Sequence, residues 1–399
     1  MKLIERTTYL DRLRNLIGTP DIKVITGVRR SGKSKLMDAF YADLVLNPDR
    51  NVVRIKLNLK EFESLWDKDH LYRYIQEHYQ DGKENILIID EVQLCKSFET
   101  IINSLYEEAR FEIYLTGSNA FLLSSDLATL FGGRVYELSV YPFSFHEFRT
   151  YFPGGDIDDD FEEYLVKGGM AGSYLYHTQE DSYHYVQEIY QTPITKDIVA
   201  KYHVENESLL MMIAEFLMDN VGSRTSLRNI ARQLTAHAYK TNDKTVGQYL
   251  NYLCKSYLFY PLPRYDVKGK RYLESDQKYF LCDLSFRYAV LGTKNADYGH
   301  LYENIVALEL LRRGYEVYIG NLYDKEIDFV AMKNGMKTYI QVADDISRPE
   351  TLNRELRPLL SIRDAYPKVL LAHTKHPEYQ IEGVRIIDLA RWLDDTPSK

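Results

Sequence analysis

The sequence predicts an α/β protein of several domains, and three observations carry that prediction. A short β-branched strand runs into a glycine-bracketed basic loop and then into a helix-forming stretch, in IKVITGVRRSGKSKLM. A second apolar strand, NILIIDEVQ, ends in two acids about fifty residues further on. Near the C-terminus, strands and helices alternate around the hairpin EIDFVAMKNGMKTYIQVADD, Glu326 to Asp345. At 399 residues the chain is long enough for two or three domains, each with its own core.

In the first stretch, Ile22 to Thr26 form the strand and Gly27-Val28-Arg29-Arg30-Ser31-Gly32-Lys33-Ser34 form the loop. This is the phosphate-loop pattern G-x-x-x-x-G-K-S in the strand–loop–helix context it requires. Gly27 and Gly32 let the backbone curl its amides toward phosphate oxygens, Lys33 reaches the β- and γ-phosphates, and Ser34 ligates Mg²⁺. The following helix presents the positive end of its dipole to the same anion. ATP and Mg²⁺ are therefore the expected cofactors, held among Gly27, Arg29, Arg30, Ser31, Gly32, Lys33, Ser34 and Lys35. For Arg29 and Arg30, nucleotide contact and a solvent-facing position both remain open.

NILIIDEVQ delivers Asp90 to the C-terminal edge of a buried strand, which suits water-mediated Mg²⁺ binding. Glu91 beside it is placed to orient or deprotonate the attacking water. NVVRIKLNL lies between these two strands and FEIYLTGSN follows them. An extra strand between the phosphate-loop and acidic strands, with the glutamate next to the aspartate, marks the additional-strand class of P-loop ATPases. Thr116-Gly117-Ser118-Asn119 then falls where those proteins hold a sensor of the γ-phosphate. Asn119 is the favoured sensor, Ser118 and Thr116 are the alternatives, and a plain strand-end turn is the competing explanation. Arg134 follows Gly132-Gly133 and begins the strand VYELSV. Two readings stay open for it: a finger on the transferring phosphoryl group, in cis or from a neighbouring subunit, or a surface salt bridge.

Taken together, ITGVRRSGKS, ILIIDEVQ, LTGSN, GGRVYELSVYPFSFHEF and KDIVAKYHV resemble a widespread prokaryotic family of AAA-type ATPases. The similarity runs over nearly the whole chain, and the G-x-R-R-x-G-K-S loop is more distinctive than a bare phosphate loop. The resemblance implies an ATPase core, a helical lid, a winged helix and a nuclease-like C-terminal domain of unknown function. It specifies no biological role.

The middle of the chain fits that order. PGGDIDDDFEE reads as a turn and an acidic helix start that close the core, followed by a helical lid broken at GGMAGSY. From Gly222 to Leu273 come a helix, a polar turn, a second helix, a strand and a basic hairpin, the order of a winged helix-turn-helix. That span holds ten Lys and Arg against Asp243 and Asp266, a net +8 inside a chain of net −8. Lys244, Thr245, Lys268, Lys270 and Arg271 are the nucleic-acid candidates, with DNA contacted without strong sequence preference because base-reading side chains are few. The mostly apolar second helix equally suits docking to a protein partner or to further copies of the chain.

The tail follows helix, hairpin, helix, strand, the order of the PD-(D/E)xK nuclease fold, which the resemblance also implies. An active member holds Mg²⁺ with a helix glutamate and two strand acids, and uses a lysine two residues after the second acid. Glu303 and Asp328 fill the first two places, but Gln341-Val342-Ala343 replaces the second acid and the lysine. Gln offers a hard cation only a neutral carbonyl, and Ala cannot replace the lysine. Asp345 shares the Gln341 face but lies a full strand repeat away. The domain is expected not to cut by this mechanism. HTKH, His373 to His376, is expected to be a solvent-facing loop rather than a metal pair.

The expected domains are therefore an ATPase core at 1–155, a lid at 156–207, a winged helix at 208–275 and a degenerate nuclease-like domain at 276–399. Hydrophobic content of 45% and charge of 27% fit a soluble globular chain. The 34 tyrosines, many in helical stretches such as YRYIQEHY, suit rings packed flat with surface hydroxyls. Cys95, Cys254 and Cys282 are too scattered for a metal site and fit a reducing compartment. The first residues lack a signal peptide's apolar core, and no apolar run reaches the roughly 18 residues a span needs, so the expected location is the cytoplasm without membrane attachment.

Overall fold

The computed structural model describes residues 4–117, 129–192, 198–236, 239–292, 297–323 and 325–395, with backbone alone at 271 and 273–276. The chain divides into two compact units, one chiefly Leu3–Val140 and the other chiefly Tyr141–Thr195 with Tyr202–Lys399.

The first unit holds α1 (Thr7–Asn15), β1 (Ile22–Thr26), α2 (Lys33–Leu44), β2 (Arg50–Lys56), α3 (Lys68–Glu77), β3 (Glu84–Asp90), α4 (Phe98–Glu108), β4 (Glu112–Thr116) and β5 (Val135–Ser139). Its five strands are all parallel, in the order β2-β3-β4-β1-β5. A parallel sheet covered on both faces buries its strands along their length; β1 is buried at every position and β3 at all but Glu84. Successive side chains feed opposite layers. Ile22, Val24, Leu87 and Ile89 pack with α3 and α4, whereas Ile25, Ile86 and Ile88 pack with α1 and α2. An extra strand does separate the phosphate-loop strand from the acidic one, but it is β4. NVVRIKL, which lies between them in sequence, is the edge strand β2. Because all strands run the same way, the ends of β1, β3 and β4 meet at one edge, where α/β sheets bind ligands.

The second unit begins with α5 (Phe145–Tyr151), α6 (Ile157–Lys167), α7 (Gln179–Thr192) and α8 (Glu207–Asp219). Asp156 caps α6 by accepting from the Asp158 amide at 2.9 Å, as an acidic helix start should. The expected glycine break is present: Gly168 has φ +63°, and a β-carbon there would lie 2.0 Å from Asp283 Oδ1. Asp283 instead accepts the Gly169 amide at 2.6 Å.

Helices α9 (Leu227–Ala236) and α10 (Asp243–Lys255) then lead into β6 (Phe259–Asp266) and β7 (Arg271–Leu281). The order is that of a winged helix, but the hairpin is not a free wing. β6 pairs in parallel with β8 (Glu316–Leu322), so the hairpin forms one end of an eight-stranded mixed sheet. The boundary expected at 275 falls inside β7 for that reason. After α11 (Leu284–Leu291) and α12 (Tyr298–Arg312), the sheet continues through β9 (Lys325–Lys333) and β10 (Met336–Ala343), joined by Asn334 and Gly335, both at positive φ. It ends with α13 (Pro349–Leu360), β11 (Lys368–Ala372), β12 (Tyr379–Ile381), β13 (Val384–Asp388) and α14 (Leu389–Asp394). Among the described residues no helix is long and apolar enough to cross a membrane.

Candidate functional site

The phosphate loop is held open by its backbone. Gly27 has φ +130°, and a β-carbon there would lie 2.1 Å from the Val140 carbonyl oxygen, so no other residue fits. Arg30 and Gly32 are also at positive φ, and Gly32 ends the turn where α2 begins. The first turn of α2 has no side-chain cap and no acid, which leaves its positive end uncompensated. Lys33 is 8% exposed and donates to the carbonyls of Gly27 at 2.7 Å and Val28 at 3.0 Å. Ser31 Oγ is buried without a hydrogen-bond partner. A glycine cradle, an uncapped helix start, a lysine resting on neutral carbonyls and an orphaned hydroxyl together fit a polyphosphate.

The acidic edge stands beside it. Asp90, 2% exposed, accepts from Thr116 Oγ1 and from Ser34 Oγ, the latter at 3.4 Å. Thr116 also accepts the Glu91 amide at 3.4 Å, so a single hydroxyl joins β4 to both acids. Glu91 sits in the left-handed region, φ +58°, and its carboxylate accepts from the Gln93 amide. Serine and aspartate oxygens on adjoining elements are the hard donors Mg²⁺ prefers. Arg29 is half-buried, while Arg30, Ser34 and Lys35 are exposed and Lys35 pairs with Asp38 at 3.5 Å.

Two expected residues stand apart. Ser118 and Asn119 lie outside the described residues. Arg134 precedes β5, and its carbonyl accepts the Ile22 amide at 2.9 Å, which puts it where the strands start. Five strand residues at about 3.3 Å each separate it from the phosphate-loop edge by roughly 16 Å. Its guanidinium pairs with Glu107 and lies over the ring of Tyr106, away from the phosphate loop. The sequence reading missed Arg6, which donates to the Ser31 carbonyl at 2.9 Å from 25 residues away, a contact without a local motif.

In the second unit, the Asp328 amide meets Gln341 Oε1 at 3.5 Å, but Glu303 is turned to a lysine. Lys278 of β7 is 3% exposed, and its ammonium donates to Glu303 Oε2 and Glu326 Oε1, both at 2.8 Å. Burial disfavours that charge, yet Glu303, Asp328 and Glu326 outweigh it and hold Lys278 above its ordinary value. Burial also opposes ionisation of Glu303, but Lys278 and His300 keep it below the usual range. Asp328 goes the other way: burial and the Glu303 charge push it well up. Asp328 Oδ2 accepts the Val342 amide at 2.8 Å, and Gln341 Nε2 donates to Glu355 at 3.3 Å. Among the described residues, no three His, Cys, Asp or Glu side chains are set to hold a metal ion.

The His373 expectation needs correction. Its side chain is 10% exposed, bonds Asp158 at 3.3 Å and packs on Phe161 and Tyr302, because β11 delivers it onto α6. His376 is exposed as expected. Of the nucleic-acid candidates, Lys244, Lys268 and Lys270 are exposed. Thr245 is half-buried, with its amide spent on the Asn242 cap at 2.9 Å. The side chain of Arg271 lies outside the described residues. Lys268 rests over the ring of Tyr323, 4.6 Å from its centroid.

Comparison with known proteins gives two family matches: an AAA domain over residues 19–149, and a domain of unknown function (DUF8612) over residues 158–297. An uncharacterized protein of Haemophilus influenzae is 37% identical over 403 residues, covering 98% of each chain. An uncharacterized protein of Methanocaldococcus jannaschii is 24% identical over 348 residues, covering 82% of this chain and 75% of its own. Among solved structures, a Walker-type ATPase of Pyrococcus abyssi aligns with 72% of this chain and 95% of its own, at 16% identity and a TM-score of 0.46.

Proposed function

The chain belongs to the same family as the Haemophilus influenzae protein and carries an AAA-type ATPase domain, and from that premise we propose that it couples Mg²⁺-dependent ATP hydrolysis to conformational change on DNA. The observation that carries this reading is the convergence of Lys33, Ser34, Asp90, Glu91 and Thr116 on one sheet edge. Bound Mg²⁺ supplies charge neutralisation at the β- and γ-phosphates. Ser34 and Asp90 are the residues that hold it. Lys33 exchanges two neutral carbonyls for anionic oxygens, a favourable trade for an ammonium. Glu91 orients the attacking water and takes its proton. Asn119 acts as the γ-phosphate sensor, and the Thr116 hydroxyl links its strand to both acids. Arg134 is left with a role only from a second copy of the chain.

DNA association rests on the net +8 of residues 222–273 and on the exposure of Lys244, Lys268 and Lys270. A second reading, a nucleotide-dependent switch acting on a protein partner, draws on a different observation. The hairpin is spent on β8 and is not free to act as a DNA-binding wing. ATP turnover with and without single- and double-stranded DNA, at two salt concentrations, separates the two. DNA stimulation that weakens as salt rises supports the first; turnover indifferent to DNA at both salts favours the second.

A further inference from the structure

The nuclease-like reading of the tail implies a divalent cation between Glu303 and Asp328, and the residues present do not fit one. The position is filled by the chain itself. Lys278 Nζ lies 2.8 Å from Glu303 Oε2 and 2.8 Å from Glu326 Oε1, with the lysine 3% exposed and Glu303 10% exposed. The other donors are occupied as well. Asp328 Oδ2 accepts the Val342 amide, and Gln341 is turned toward Glu355. Arg224 pairs with Glu326, and His300 Nδ1 lies 3.4 Å from Glu303 Oε1. Lys278 and Arg224 therefore pair with Glu303 and Glu326, His300 lies beside Glu303, and Asp328 is spent on the Val342 amide.

We propose that the Lys278 ammonium is a tethered substitute for the divalent cation: it excludes metal from this cluster and clasps β7 to α12 and β9. A hard cation needs several carboxylate or carbonyl oxygens at about 2.0–2.6 Å, and both oxygens of Glu303, both of Glu326 and Asp328 Oδ2 already face a nitrogen donor. Entry of Mg²⁺ or Mn²⁺ would require expelling an ammonium held by two carboxylates, and that ammonium cannot diffuse away. The clasp also explains why a site with Gln341 in place of an acid still keeps Glu303. With Glu326 it has become the counter-charge of Lys278, which comes from an element outside the helix–hairpin–helix–strand core. Removing the ammonium leaves the Glu303 and Glu326 carboxylates facing one vacancy without the charge that Lys278 supplied, and hard oxygens of that kind attract a divalent cation.

The test uses the full chain without nucleotide, with Mn²⁺ titrated and free Mn²⁺ read from its electron paramagnetic resonance signal. Wild type should bind no Mn²⁺ in a Glu303-dependent way. Lys278→Ala should gain one site, at least tenfold tighter than any wild-type binding, and adding Glu303→Gln should remove it. Should Lys278→Ala fail to fold alone, millimolar Mn²⁺ should restore its circular dichroism. Three results overturn the proposal: a wild-type site lost in Glu303→Gln, a folded Lys278→Ala that gains no site, or an unfolded one that Mn²⁺ does not restore. None of these readouts involves ATP turnover.

Discussion

Lys33 and Lys278 are both buried cations close to acids, yet their partners differ. Lys33 rests on two backbone carbonyls of its own loop, whereas Lys278 is held by two carboxylates from α12 and β9. Carbonyl dipoles give up an ammonium readily to a polyphosphate; carboxylates in a dry interior do not. The partner, not the burial, distinguishes the two lysines.

The largest expected effect tests the first half of that contrast. In Gly27→Ala the new methyl meets the Val140 carbonyl, so the loop must shift. ATP affinity measured by calorimetry should fall about a hundredfold, or ~2.7 kcal/mol. Retained affinity would mean that the loop geometry does not set the site.

The second prediction compares the lysines directly. Lys278→Ala strands the buried Glu303 and takes one partner from the half-buried Glu326, and should cost about 3–5 kcal/mol in urea unfolding. Lys33→Ala removes a donor from two neutral carbonyls and should change stability by under ~1 kcal/mol. Equal losses would erase the distinction.

A smaller effect concerns pH. The His146 hydrogen bond to Asp394 holds His146 above its ordinary value of 6.5, and the same bond holds Asp394 below its own. A raised histidine stabilises fully below its unfolded pKa, near 6.5, and the gain is lost as pH rises through the folded value. The unfolding midpoint should therefore drop slightly across and just above neutrality, and His146→Gln should flatten that slope.

The smallest effect belongs to Arg134→Ala, which removes an exposed pair with Glu107. Stability should move by less than ~1 kcal/mol and turnover should stay level. A tenfold loss of turnover would instead require Arg134 to act from a second copy.

These two regions also differ in how much of them could be read from sequence. The phosphate loop is contiguous, and its glycines, lysine and serine stand in fixed spacing, so Gly27, Lys33 and Ser34 were legible before any fold was known. Asp90 and Glu91 were legible because a buried strand delivers its last residues to one edge. Strand direction was the missing piece for Arg134, since a residue that opens a parallel strand lies at the opposite edge from one that closes it. In the tail, Gln341 and Ala343 could be read from the sequence, but the ion pairs of Lys278 could not. Lys278 is 25 residues from Glu303 and 48 from Glu326, on a hairpin whose pairing with β8 spans more than fifty residues. No local pattern encodes a contact of that range. The same pairing removed the free wing that the helix–turn–helix order suggested.

The most direct measurement sets Lys33→Ala against Glu91→Gln in ATP binding and in Mg²⁺-dependent phosphate release. Lys33→Ala should lose binding, while Glu91→Gln should bind ATP like the wild type and turn over at least about a hundredfold more slowly. Unchanged phosphate release in both variants would contradict the assignment of hydrolysis to this edge of the sheet.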